Sequence, residues 1–310
     1  MNIVVTGGAG FIGAHLCRAL AARGDRVTAY DDLTGGFPVS LAGTSTSLVA
    51  GSTADRELLG ETVAVADAIV HLASLPSVPR AAEDPVTAHE VNVTGTLNVL
   101  EAARHCGAHV VLAGSAAVYG EQDAAAHEDL PARPLGPYGA SELAAEAYAL
   151  AYGHSFGVPV LPFRVFNVYG PLQTAGRAYS AVVPAFIDAA LRGRPLHVHG
   201  DGRQVRDFTH VSAVVAAIRD ALDRQVTSPA PVNLALGAAA TPLRLVALLE
   251  SLLDRPLEVV HTQPRRGDQR VCLADPARFR ALFPSLAPVP LEEGLADTLA
   301  WFGSEEPLPV

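Results

Sequence analysis

The sequence predicts an α/β protein built on a doubly wound parallel sheet, followed by a smaller α/β lobe. Three observations predict it. Short apolar, β-branched runs alternate with longer Ala/Leu-rich stretches of helical period, the pattern of repeated strand–helix–strand units. The strand segments are nearly continuous in apolar residues, as a sheet covered on both faces requires. A glycine cluster between Gly7 and Gly13 closes the first strand and opens the first helix.

In chain order, the expected strands are 2–6, Arg26 to Tyr30, Ala68 to Leu72, His109 to Gly114 and Pro159 to Val165. The helix after the glycines carries Phe11, Ile12, Leu16 and Leu20 as an inward stripe, and helices near 86–106 and 138–156 are Ala/Leu-rich on more than one side. From about residue 171 the pattern loosens into Pro/Gly-rich loops. Helices are expected near 179–192, 211–223, 242–253 and 291–302, with short strands near 196–199, 231–235 and 257–261. Residues 1–170, with a return segment at about 205–230, therefore form the larger domain, and 171–204 with 231–310 the smaller lobe. No repeat or low-complexity linker separates them, so they should share an interface.

With 310 residues, 49% of them apolar, the chain can bury a full core. A formal charge of -10 argues against nucleic acid as a partner, because phosphate-backbone binding needs clustered cations. Met1 leads directly into an apolar strand, without a basic leader or a run near the ~20 residues of a membrane span. The expected location is cytoplasmic, with no membrane association. Cys17, Cys106 and Cys272 form no C-x-x-C pair, and their odd number suits reduced thiols in packing roles. His197 and His199 alternate along one short strand, but two histidines without a third ligand seldom make a metal site, so no metal is expected.

The segment Gly7-Gly8-Ala9-Gly10-Phe11-Ile12-Gly13 reads as a phosphate cradle. Glycines let the backbone approach a pyrophosphate, and the helix start supplies unpaired N–H groups and a positive dipole end. Asp31 and Asp32 end the second strand about 20 residues on, where a carboxylate accepts hydrogen bonds from adenosine ribose and repels a 2′-phosphate. NAD is therefore favoured over NADP in a Rossmann-type domain, and one of the two aspartates can be merely solvated.

The G-x-x-G-x-x-G spacing is the form seen in extended short-chain dehydrogenases/reductases. His71-Leu-Ala-Ser74, Ser77-Val-Pro-Arg80, Asn92-Val-Thr-Gly-Thr96, Ser115-Ala-Ala-Val-Tyr-Gly120, Phe166-Asn-Val-Tyr-Gly-Pro171, Gly200 to Phe208 and Arg265-Arg-Gly-Asp268 resemble successive motifs of the NAD-dependent epimerase/dehydratase family. The block from Ser77 to Thr96 most resembles UDP-glucose and UDP-N-acetylglucosamine 4-epimerases. This resemblance places Leu72, Ala73, Ser74 and Asn92 along NAD, and Ser115 and Tyr138 at the reacting sugar hydroxyl. It places Ser77, Arg80, Asn167, Arg206, Arg265 and Asp268 around a nucleotide sugar, the arginines matching diphosphate oxygens. Tyr179 packs near the nucleotide or serves as a core aromatic; both readings are open. In the family, helices such as 86–106 and 138–156 build a homodimer interface.

Three departures narrow the reading. Ala116 and Ala117 stand where 4,6-dehydratases carry an acidic pair, so dehydration loses its acid and base. Glucuronate epimerases carry threonine and arginine at the places of Asn167 and Thr174, which favours a neutral hexose. Ser52 replaces a common aspartate near the adenine.

The fourth departure is chemical. Tyr138-Gly-Ala-Ser-Glu142 has the form of a Tyr-x-x-x-Lys helix with the lysine replaced by glutamate, and all 22 basic residues of the chain are arginine. Positions four apart share one helix face. An opposite charge nearby lowers a pKa by roughly 1–3 pH units and a like charge raises it, so the exchange moves Tyr138 upward by roughly 2–5 pH units. An ionised Glu142 would also favour cationic NAD over NADH. Three accounts compete: an epimerase slowed by drift or mutagenesis, a site in which Glu142 is itself the base, and a pseudoenzyme that only binds NAD and a sugar nucleotide. A 4-keto sugar reductase is a further alternative. A solvated helix glutamate would require α-helix 138–156 to turn Glu142 away from the site.

Overall fold

The computed structural model describes residues 1–175, 181–236, 238–264 and 269–304. Its strands are β1 Asn2–Thr6, β2 Arg26–Asp31, β3 Ser47–Ala50, β4 Ala68–His71, β5 His109–Ser115, β6 Val160–Val165, β7 Asn167–Tyr169, β8 Leu196–His199, β9 Val205–His210, β10 Val232–Leu234, β11 Ala238–Ala240, β12 Val259–Thr262 and β13 Val271–Cys272. Its helices are α1 Phe11–Ala22, α2 Arg56–Val63, α3 Val78–Glu83, α4 Pro85–His89, α5 Gly95–Cys106, α6 Pro137–Phe156, α7 Val182–Leu191, α8 Val211–Arg224, α9 Pro242–Leu253, α10 Ala277–Leu282 and α11 Leu291–Ser304.

Seven strands form one parallel sheet in the order β10-β6-β5-β4-β1-β2-β3. Strand order reverses between β1 and β4, and open α/β sheets bind ligands beyond the carboxyl ends of strands at such a point. Apolar side chains leave both faces of the sheet. One face meets Leu16, Cys17 and Leu20 of α1 and Val214, Ile218 and Leu222 of α8. The other meets Leu59 of α2, Val99, Leu100 and Ala103 of α5, and Ala149 of α6. Burial pushes the Cys17 thiol up to about 12, consistent with a packing role.

The smaller lobe centres on β9, which pairs with β7 and β13 in parallel and with β11 antiparallel. A two-stranded unit, β8 with β12, and helices α7, α9 and α11 close its core around Phe186, Leu196, Leu245 and Leu295. Among the described residues, no helix is long and apolar enough to cross a membrane.

The chain departs from the sequence expectation in three places. Residues 231–235, expected in the smaller lobe, supply β10 at the edge of the large sheet. There the Asn233 amide nitrogen donates to Glu128 Oε1 at 2.8 Å, and its Oδ1 accepts from the Tyr119 hydroxyl at 2.6 Å. Phe279 and Phe283 follow it back, stacking on each other against Phe163. Within the return segment, α8 packs on the large sheet but β9 belongs to the smaller one. Finally, the continuous helix expected at 86–106 is α4 and α5 joined by a wider, π-type turn over Glu90–Thr94, a form often found at functional sites.

Candidate active site

The first strand ends in a backbone cradle. Gly7 has φ +68°, and a Cβ there would lie 2.9 Å from the Ala73 amide nitrogen. A Cβ on Gly13 would run into the Gly7 carbonyl oxygen. Only glycine lets Leu72-Ala73, the loop and α1 come together this closely. Gly10 caps α1 without a side-chain hydrogen bond, which leaves the helix start for an external anion.

Asp31 fixes the cradle to β2. Its carboxylate accepts from the amides of Ala9 at 3.0 Å and Leu33 at 2.8 Å. Burial pushes its pKa up while those amides pull it down. Asp32 is exposed and caps a turn by accepting from the Thr34 amide and hydroxyl, so it is the solvated member of the pair. Ser52 takes no part through its side chain beyond the local Ala54 amide, while its carbonyl accepts from the Tyr30 hydroxyl at 2.8 Å.

On the other side of the strand-order reversal, Leu72, Ala73 and Ser74 follow β4. The Ala73 amide donates to Thr6 Oγ1 at 3.3 Å. His71 is buried between Thr6 Oγ1, 2.6 Å from Nδ1, and Thr96 Oγ1, 3.0 Å from Nε2; burial lowers its pKa to about 4. Asn92 sits in the π-type turn and is anchored to protein at both ends of its amide. Its Oδ1 accepts from the Leu75 amide at 2.7 Å and its Nδ2 donates to Ser141 Oγ at 2.9 Å. It therefore ties the loop after β4 to α6. Ser77 caps α3 by accepting from the Arg80 amide at 3.3 Å, and Arg80 is exposed.

Ser115 ends β5, where it is paired in register with Val165 of β6. Its Oγ accepts from the Ala117 amide at 3.1 Å, and it lies close enough to the Tyr138 phenol to lower the phenol's pKa. Pro137 starts α6 at a position that needs no N–H donor, and the Tyr138 ring packs against the cluster of Leu75, Ala81 and Ala88. Burial first, and then Glu142, push the phenol well above its ordinary range; Ser115 acts against them.

Glu142 lies inside the protein at 4% exposure. A Cβ on Gly114, the penultimate residue of β5, would sit 3.8 Å from its Oε2. The carboxyl thus faces the carboxyl end of the sheet, not bulk water. Burial and the neighbouring Glu146 push its pKa up to about 8. Burial thus holds this carboxyl towards its protonated form.

Glu146 and Arg164 escaped the sequence reading. Arg164, on β6, donates through Nε and Nη2 to the two Glu146 oxygens, both at 2.7 Å, and both residues are 4% exposed. The guanidinium also lies 4.5 Å from the centre of the Tyr119 ring. Two signals could have found the pair: an arginine inside the apolar strand Val160–Val165, and a glutamate one turn beyond Glu142.

Asn167 opens β7 just past β6, and its Nδ2 donates to the Asp207 carbonyl at 3.3 Å. Arg206 lies on the adjacent β9 and donates through Nη1 to the Val205 carbonyl at 2.9 Å. Tyr179, Arg265 and Asp268 lie outside the described residues. Among the described residues, no group of three or more His, Cys, Asp or Glu side chains could hold a metal ion.

A phosphate cradle on one side of the strand-order reversal and a neighbouring serine–tyrosine pair on the other define a Rossmann-type, dinucleotide-dependent enzyme scaffold. Comparison with known proteins narrows the class. Residues 3–237 match the NAD dependent epimerase/dehydratase family, and the chain belongs to that family. It is 33% identical to a UDP-glucose 4-epimerase of Mycolicibacterium smegmatis, over 97% of this chain and 98% of the relative. The structure of a UDP-N-acetylglucosamine 4-epimerase from Methanobrevibacter ruminantium, in complex with UDP-N-acetylmuramic acid, superposes with TM-score 0.92 at 31% identity, covering 98% of this chain and 99% of the other. That of a Thermus thermophilus UDP-glucose 4-epimerase in complex with NAD gives TM-score 0.90 at 32% identity, covering 99% and 100%.

The cofactor of the family is NAD, and the residues present fit it. The glycine cradle is open to a pyrophosphate, and Asp31 stands at the strand end where adenosine ribose hydroxyls are received. Gly7, Gly10, Phe11, Ile12 and Gly13 would hold the phosphates.

Proposed function

We propose that the protein is an NAD-dependent nucleotide-sugar epimerase acting at C4 of a UDP-hexose, with acid–base chemistry altered by Glu142. The supporting observation is the placing of Ser115 at the carboxyl end of β5 beside the Tyr138 phenol, with the buried Glu142 carboxyl one turn behind it. NAD, when bound, supplies the redox chemistry, taking hydrogen from the sugar carbon and returning it. Ser115 orients the 4-hydroxyl, and Tyr138 is the group through which its proton leaves. A phenol held far above its ordinary range is a poor resting base. Glu142, with a pKa pushed up to about 8, lies in the range suited to holding that proton near neutral pH. The 4-keto sugar then turns over within the site and is reduced on its other face. Asn167 and Arg206, with Arg265, would hold the diphosphate.

The same proposal includes a cytoplasmic homodimer formed through α5 and α6, where Tyr148 and Phe156 are exposed. Sedimentation would test the dimer.

The test of activity is incubation with UDP-glucose, UDP-galactose and their N-acetylamino forms, followed by separation of products. Interconversion without added reductant is expected. Normal binding without turnover would make the protein a pseudoenzyme, and stoichiometric loss of nicotinamide absorbance would make it a reductase. Glu142→Lys separates the two roles of Glu142. A rise of about 100-fold or more means that the missing cation limits the rate, whereas a fall means that Glu142 is the working base.

A further inference from the structure

Several groups near the site are already engaged. His71 is satisfied between two threonines, Asn92 between Leu75 and Ser141, and Arg164 by Glu146. Glu142 differs. Among the described residues no hydrogen bond to its carboxyl is present, and Arg164, on β6, is bound to Glu146, the next glutamate along the helix. A dinucleotide laid across the strand-order reversal has one half over β1 and β2 and the other over β4 and β5. Because the cradle and Asp31 take the adenosine and pyrophosphate half, the nicotinamide half falls at the end of β5, beside Gly114 and Glu142.

We propose that Glu142 couples the charge of the nicotinamide to a proton: the chain holds the oxidised cofactor with the Glu142 carboxylate ionised and the reduced cofactor with it protonated. This rests on the assignment of NAD to the cradle. The oxidised ring is cationic and the reduced ring neutral, so an anion within a few ångströms is stabilised only by the first. The titratable and charged groups around Glu142 do not substitute for it. Tyr138, on its own helix, stays protonated, and Glu146, also on α6, is neutralised by Arg164 of β6. On β4, His71 stays neutral, and β5 presents only Gly114 and the Ser115 hydroxyl. Glu142 thus lets the site remain electrically balanced in both redox states without a lysine.

The test is the ratio of dissociation constants, NADH over NAD, measured between pH 6 and pH 9 on the full chain freed of co-purified nucleotide. With an opposite charge worth roughly 1–3 pH units, the ratio should rise by about 10–100-fold across the range. Calorimetry in two buffers of different ionisation enthalpy should show more protons bound with NADH than with NAD. In Glu142→Gln the ratio should be flat, and in Glu142→Lys flat and shifted towards NADH. A ratio independent of pH in the unmodified chain, with both nucleotides bound, overturns the inference and leaves the NAD assignment standing. A pH dependence that persists in both variants also overturns it. Failure to bind either nucleotide overturns the NAD assignment itself.

Discussion

Replacing Glu142 by glutamine should stabilise the protein more and more as pH rises. The group has a pKa of 4.5 when unperturbed and about 8 in the native fold. A carboxyl raised on folding binds its proton more tightly in the native state. The stability this gives is complete below about pH 4.5 and is lost as pH climbs towards 8. At about 1.4 kcal/mol per pH unit, the loss has a ceiling of about 5 kcal/mol. Because the unfolded carboxyl is already largely ionised at pH 5, about 3–4 kcal/mol of this falls between pH 5 and pH 9. Glutamine keeps the shape and does not titrate; the cost of burying its amide is the same at every pH. Urea unfolding followed by circular dichroism at pH 5, 7 and 9, without nucleotide, measures the difference. The gap between variant and parent should grow in favour of the variant by about 3–4 kcal/mol from pH 5 to pH 9. A gap that does not change with pH would refute the reasoning, because it would mean that Glu142 titrates alike in the folded and unfolded chain.

Two further perturbations test the supports of the site. Arg164→Met leaves Glu146 as an unpaired buried charge beside Glu142 and should cost about 3–5 kcal/mol in urea unfolding, whereas Arg164→Met with Glu146→Leu should recover most of it; equal losses in both would show that the pair is not the source. Gly13→Ala drives a methyl into the Gly7 carbonyl, so it should abolish NAD binding by calorimetry, and retained affinity would remove the cradle from the account.

The strands of the large sheet could be read from sequence because four of its five expected members are apolar runs with no competing period. β8 and the helices α8 and α9 fall where the pattern puts them. β3 was not legible, since Ser47–Ala50 is an edge strand of only four residues, three of them exposed. β10 was misplaced because three residues carry no record of which sheet they join; Asn233, Tyr119 and Glu128 decide that through contacts across the sequence. In the site, Tyr138 and Glu142 were found together because helical spacing alone aligns them. The depth at which Glu142 lies, which raises its pKa as the reading of Glu142 as a base requires, depends on β5 and on Glu146. Asn92 joins the loop after β4 to α6 through both ends of its amide, a consequence of the π-type turn that no periodicity announces.

The ionisation of Glu142 can be read directly by carbon-13 NMR of side-chain carboxyls, its resonance assigned by its absence in Glu142→Gln. A titration midpoint close to 8 in the nucleotide-free chain, moving downward when NAD is added and not when NADH is added, is the result predicted here. A midpoint in the ordinary glutamate range, unmoved by either nucleotide, would contradict it.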